Sequence, residues 1–274
     1  MTPPVVFFDA GSAMSVGLPA LDELIRFWLL TVRIGALVLA LPFWGARVVP
    51  GHLKILLVFL LSFGLYPAIQ TQPIAVPSSV GVLTLFVLGE VFIGITMGFV
   101  VQLTFLSVQL SGELVSQQMG MSLATLFDPQ NASQTSLIAN FQYIVSVLLF
   151  FSTSAHHWFI LALAESLHRI PLLEFTASKA VAMSLIALLA QACVMAIKIA
   201  APVLVTLLLV SFGLGIVARL VPQMNVFVLS FPVGLGTGLL VLSLALSYLL
   251  GEIRVLFGQL GRDLVTVIRL LGEG

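Results

Sequence analysis

Ile197-Lys198-Ile199-Ala200-Ala201-Pro202-Val203-Leu204-Val205-Thr206-Leu207-Leu208-Leu209-Val210 is the centre of an apolar run from 180 to 218, in which Lys198 is the single charge. Read as one helix, such a run is about 58 Å long at ~1.5 Å per residue. The hydrocarbon core of a bilayer is only ~30 Å thick. A second stretch, 80 to 118, has the same length. Tilt absorbs little of such an excess. These helices therefore break, with Pro202 available for a kink, or continue into a protein environment outside the bilayer.

Working outward, apolar runs appear at about 28–46, 54–69, 80–110, 137–164, 180–218 and 224–250. Each approaches the roughly 20 residues that a membrane-crossing helix needs. Turn chemistry separates them: Val49-Pro50-Gly51, Gln72-Pro73 to Pro77-Ser78, Asp128-Pro129-Gln130-Asn131, Arg169-Ile170-Pro171 and Val221-Pro222-Gln223. The expected fold class is all-α: a helical integral-membrane protein of six hydrophobic segments, one domain over 1–274. With six spans both termini share a side. Cytoplasmic termini place Arg26, Arg169, Lys179, Arg254, Arg262 and Arg269 inside, against Arg47, Lys54 and Arg219 outside. The positive-inside rule favours that orientation.

Composition agrees. Of 274 residues, 60% are hydrophobic and only 8% charged, against roughly 25% charged in soluble proteins. The mean hydropathy is +1.19. Eleven basic residues balance eleven acidic ones, which leaves no positive field for nucleic acid. The lone Cys193 excludes an internal disulfide and a cysteine-rich metal site. Asp9, Asp22 and Glu23 are the first charges where a secretory leader would carry basic ones, so no cleavable leader is expected.

Signals for chemistry are poor. Glu165-x-x-His168 has the spacing of half a carboxylate metal site, but no second copy exists. His156 and His157 beside Trp158 read as interfacial histidines. Gly213-x-Gly215-x-x-Ala218 imitates a dinucleotide fingerprint, yet it lies inside an apolar helix and follows no strand. No phosphate-binding loop, zinc-protease motif or nucleophile elbow occurs. No cofactor, no metal and no enzyme activity are expected.

Four charges lie inside or beside the apolar runs: Arg33, Glu90, Glu113 and Lys198. A charge at mid-bilayer costs on the order of 2.5–3.5 kcal/mol on insertion scales, so it normally faces protein or water. They line a path or gate, or they form structural ion pairs; the sequence does not say which charge meets which. Gly94-x-x-x-Gly98 and Gly234-x-x-x-Gly238 place small residues one turn apart, where helix backbones approach closely. After 250, Leu249, Ile253, Leu256, Leu260, Leu264, Val267 and Leu271 recur at helical spacing opposite Glu252, Arg254, Arg262, Asp263 and Arg269. That is an amphipathic helix for a membrane surface or a partner.

The most informative stretch is Gly112-Glu113-Leu114-Val115-Ser116-Gln117-Gln118-Met119-Gly120-Met121-Ser122-Leu123-Ala124-Thr125-Leu126-Phe127-Asp128-Pro129. It leaves a long apolar helix, turns weakly polar and stops at Asp-Pro. By chemistry alone it is an interhelical loop or, with its methionines, an adaptable contact segment. With His156-His157-Trp158, Pro171 and Arg219-x-x-Pro222-Gln223-Met224-Asn225-Val226-Phe227-Val228-x-x-Phe231-Pro232, this stretch resembles the FliR family, the export-gate subunit of the flagellar type III secretion apparatus. Length, hydrophobic segments and motif order agree over nearly the whole chain.

The resemblance implies long helical hairpins, with a FliP-like part over 1–170 joined to a FliQ-like part over 171–274. It implies a pore built with FliP- and FliQ-type subunits, served by FlhB- and FlhA-type components, embedded in lipid at the inner-membrane basal body and passing unfolded proteins. It also implies a plug from Met119 through Gly120, Met121, Ser122, Leu123, Ala124, Thr125, Leu126, Phe127 and Asp128 to Pro129. Helix packing and assembly would fall to Gly94, Gly98, Gly234, Gly238, Arg219, Pro222, Gln223, Asn225, Phe227 and Pro232. The alternatives are an injectisome homologue and a secondary transporter, for which Glu90 and Lys198 could serve as midplane charges although no motif repeats between the halves.

Overall fold

The computed structural model describes residues 18–42, 49–69, 79–121, 136–172, 179–223 and 225–273. These residues form helices α1 (Leu18–Ala40), α2 (Gly51–Ile69), α3 (Val80–Gln118), α4 (Leu137–Ser152), α5 (Ala155–Arg169), α6 (Lys179–Leu220), α7 (Val226–Leu244) and α8 (Leu246–Gly272). No strand occurs among the described residues. The protein is all-α.

The two overlong runs are unbroken helices of 39 and 42 residues. Pro202 does not end α6. Proline has no N–H to donate to the carbonyl four residues back, so the carbonyl of Lys198 loses its helical partner. The hydroxyl of Tyr248, on α8, donates to that same carbonyl at 3.3 Å. The side chain of Lys198 meets Glu252, one turn further along α8, at 3.5 Å. Together these contacts pin the first turns of α8 to the middle of α6. Tyr248→Phe should therefore destabilise the chain by about 1 kcal/mol. In a Pro202→Ala background, which restores the missing N–H, that loss should shrink toward zero. Thermal unfolding of the four variants tests this; an unchanged Tyr248→Phe effect after Pro202→Ala would refute it.

The six apolar runs map onto the helices unevenly. Three helices, α2, α3 from Gly81 and α6, are long and apolar enough to cross a membrane. Two bent pairs, α4 with α5 (68°) and α7 with α8 (61°), raise that to five if each is one span. The run 137–164 is thus two helices, broken at Thr153–Ser154, where Ser154 takes a left-handed φ of 57°. Residues 28–40 of the first run belong to α1, which starts ten residues earlier, at Leu18, and carries Glu23, Arg26 and Arg33.

Helix α3 is the axis of the molecule, packed by α1, α4, α6 and α8. Its Phe105 meets Phe150 of α4 and Phe257 of α8 with ring centroids 5.5 and 5.4 Å away, and those two rings are 5.4 Å from each other. Such tilted aromatic contacts add to plain burial. The apolar face of α8 corrects the sequence expectation. Leu249, Ile253, Leu256, Leu260, Leu264, Val267 and Leu271 are all buried, in a helix that packs on α5, α3 and α6. Their partner is the chain itself, not a membrane surface or a second protein.

Candidate functional site

The charges in the apolar runs separate into three unlike environments. Arg33 of α1 and Glu90 of α3 are 0% and 2% exposed, and the Arg33 Nε donates to Glu90 Oε2 at 2.5 Å. The other guanidinium nitrogens donate to carbonyls at the end of α5: Nη1 to Ser166 at 3.3 Å, and both Nη1 and Nη2 to Ile170 at 3.1 Å. The C-terminal carbonyls of a helix lack internal partners and carry partial negative charge, which a cation satisfies. Arg33 thus joins α1, α3 and α5 at one buried point. Lys198, half exposed, pairs with Glu252. Glu90 and Lys198 thus belong to separate pairs. Glu165 likewise pairs with Arg169 one turn on. No group of three or more histidine, cysteine or acidic side chains able to hold a metal occurs among the described residues.

Glu113 is a helix cap. Its Oε1 accepts from the backbone N–H of Ser136 at 3.2 Å, immediately before α4, where a carboxylate suits the positive helix end. Ser136 in turn accepts from Ala139 N–H at 3.3 Å. The end of α3 is equally defined. Gly120, at φ 81°, donates to Gln117 O at 3.0 Å, and Met121 donates to Ser116 O at 3.1 Å. That pair of bonds is a Schellman stop, which favours glycine at the left-handed position. The described ends that flank residues 122–135 are therefore held within about two turns of α3, from Glu113 to Gly120. Ser122, Leu123, Ala124, Thr125, Leu126, Phe127, Asp128 and Pro129 lie outside the described residues.

Met119, read from the sequence as the first plug residue, closes α3 and is 1% exposed. Its side chain lies in a hollow over Gly238 of α7: a Cβ added to Gly238 would stand 2.4 Å from Met119 Cε. Gly234 faces the Met119 backbone at an ordinary 3.4 Å. This second glycine pair therefore receives a side chain. The first pair receives a helix: a Cβ at Gly94 would come within 2.4 Å of Arg33 O, and one at Gly98 within 2.4 Å of Ala40 Cβ. The sequence reading missed a third close approach, Gly112 against the Ala139 backbone at 2.4 Å. Ser107 and Ser111, small residues one turn apart beside Gly112, were the available signal. Ser111 also bonds the buried Gln142 of α4 at 2.6 Å.

The Arg219 to Pro232 motif sits where α6 turns into α7. Arg219 occupies the last turn of α6, and Asn225 caps α7 by accepting from Val228 N–H at 3.4 Å. Arg219, Pro222, Gln223, Asn225 and Pro232 are all exposed, so none is consumed by the chain's own core. The Phe227 side chain lies outside the described residues. Along the same hairpin Leu208, Leu209, Phe212, Val228 and Leu244 are more than half exposed. Apolar surface on this scale needs lipid or protein over it.

A family model described as bacterial export proteins, family 1, matches residues 24–260. The chain is 32% identical over 218 residues to the flagellar biosynthetic protein FliR of Pectobacterium carotovorum subsp. carotovorum, covering 78% of this chain and 82% of that protein. It is 29% identical over 264 residues to the FliR of Bacillus subtilis (strain 168), with 92% and 98% covered. Against the FliR of Escherichia coli (strain K12) the figures are 26% over 242 residues, 88% and 92%.

Proposed function

Because the chain belongs to the FliR family of bacterial export proteins, we propose that it is a core membrane subunit of the flagellar type III export gate. In this reading it forms, with FliP- and FliQ-type subunits, the pore through which unfolded flagellar proteins leave across the inner membrane at the basal body. FlhB- and FlhA-type components deliver those substrates. The relatives' names favour the flagellar system over an injectisome. The role assigned is structural, and no catalytic step is attached to any residue.

One observation carries the assembly. Helix α6, 42 residues and about 63 Å long, keeps large apolar side chains exposed from Met183 to Leu220. A ~30 Å hydrocarbon layer covers about half of that length. Neighbouring helices must cover the rest, and the exposed Arg219, Pro222, Gln223, Asn225 and Pro232 are part of the surface offered to them. The junction of the FliP-like and FliQ-like parts falls at Pro171, between α5 and α6. Expressed alone, the chain should aggregate; with FliP- and FliQ-type subunits it should co-purify as one complex. A stable, monodisperse monomer would count against the gate.

The plug is the segment after α3. Both its ends are tied within about two turns of that helix, and the 14 residues from 122 to 135 are long enough to reach roughly 23 Å out and back. With Met119 occupied by α7, lumen filling falls to Met121, Leu123, Leu126 and Phe127, apolar side chains that exclude water and ions. Deleting Ser122 to Phe127 spares the Gly120 stop. The complex should still assemble, and the cells should become leaky to ions and small solutes. An assembled deletion variant as tight as wild type would leave 122–135 an ordinary connector.

A further inference from the structure

We propose that Met119 is a positioning residue, a peg that fixes α7 to the end of α3. Of the α7 residues with described side chains, the buried ones are Gly234, Gly238 and Leu242, spaced four apart on one face. Met119 is what covers the two glycines: its backbone lies over Gly234 and its thioether end fills the hollow at Gly238. Apart from its chain neighbours α6 and α8, α7 has no extensive helix partner among the described residues. α6 packs on α3 along its own length, so Met119 is the side chain that ties the second arm, α7, to the end of that axis. Methionine suits this place, because an unbranched, polarizable chain enters a narrow hollow that a branched one cannot. The Schellman stop at Gly120, the next residue, completes the device by ending α3 at the peg. The outer face of the hairpin, with Val228, Phe231 and Leu239, is thereby held at a fixed angle for neighbouring subunits.

The part played in assembly rests on the export-gate reading; the peg in its hollow does not. Intrachain cross-linking in membranes separates the two. In a Cys193→Ser chain, the Met119→Cys/Gly238→Cys pair brings its sulfurs within bonding range and should oxidise about tenfold more than Met119→Cys/Gly236→Cys. Gly236 is the matched control, since nothing lies within 4 Å of a Cβ there. Equal oxidation of the two pairs would overturn the peg. A size swap adds a functional readout. Gly238→Leu alone should clash with Met119 and cut complex yield several-fold, and adding Met119→Ala should restore most of it, because the new side chain takes the vacated space. A double variant no better than Gly238→Leu would also overturn the proposal. If Met119→Ala instead leaves assembly intact and opens a leak, Met119 belongs to the plug. A tight plug-deletion variant that still oxidises the Met119–Gly238 pair would remove the plug and leave the peg standing.

Discussion

Arg33→Ala should destabilise the chain by about 3–5 kcal/mol, the cost of leaving one member of a buried ion pair without its partner. The side chains of Arg33 and Glu90 are 0% and 2% exposed, so solvent cannot take the place of the lost guanidinium. The change also weakens the end of α5, because the Ile170 carbonyl loses both guanidinium donors and the Ser166 carbonyl is left with the Ile170 N–H alone. Glu90→Ala should cost somewhat less, since the guanidinium keeps those two carbonyls. Arg33→Lys should recover only part of the loss: an ammonium lacks the planar fork that serves a carboxylate and two carbonyls at once. Replacing both residues, Arg33→Met with Glu90→Leu, should come closer to wild type than either alanine variant. Thermal unfolding of the purified complex, with yield measured in parallel, reads all four. Wild-type stability of Arg33→Ala would show that the pair is not buried in the assembled protein.

That pair shows where the sequence stops being informative. Arg33 and Glu90 both stand out as charges in apolar runs, but they lie 57 positions apart, and only the crossing of α1 on α3 makes them partners. Apolar run length was enough for α3 and α6, and periodicity for the amphipathic α8, because each reports a property of one helix. The surface that α8 buries is a relation between helices, so its apolar stripe read as an outward face, although α5, α3 and α6 cover it. The α4–α5 break had a local signal in Ser152-Thr153-Ser154, masked by the apolar residues on both sides. At the end of α3, the family motif marks the whole of Met119 to Pro129 without distinguishing the peg at its start from the plug residues after it. The distinction comes from Gly238, more than a hundred residues away, whose missing side chain makes the hollow.

Gly94→Leu and Gly112→Leu should each cost about 3 kcal/mol or more and abolish most of the assembled complex, because overpacking a filled crossing leaves no cheap relaxation. At Gly94 the first added atom meets the Arg33 carbonyl oxygen, and at Gly112 the Ala139 Cα, each at 2.4 Å. Both obstacles are backbone, which cannot rotate aside as a long side chain can. The helix would have to move away, and at Gly94 that movement also pulls Arg33 from Glu90. Even alanine should be harmful at these two positions. At Gly213 and Gly236 a Cβ meets nothing within 4 Å. There Gly→Ala should be neutral or stabilising by up to about 1 kcal/mol, from the helix preference of alanine alone. The sign of the alanine effect therefore discriminates close approach from mere composition. Gly234 is the informative middle case, with its nearest neighbour at 3.4 Å: alanine should be tolerated and leucine should not. If alanine at Gly94 and Gly112 proves as harmless as at Gly236, these helices do not cross at contact distance, and the small residues of α3 need another explanation.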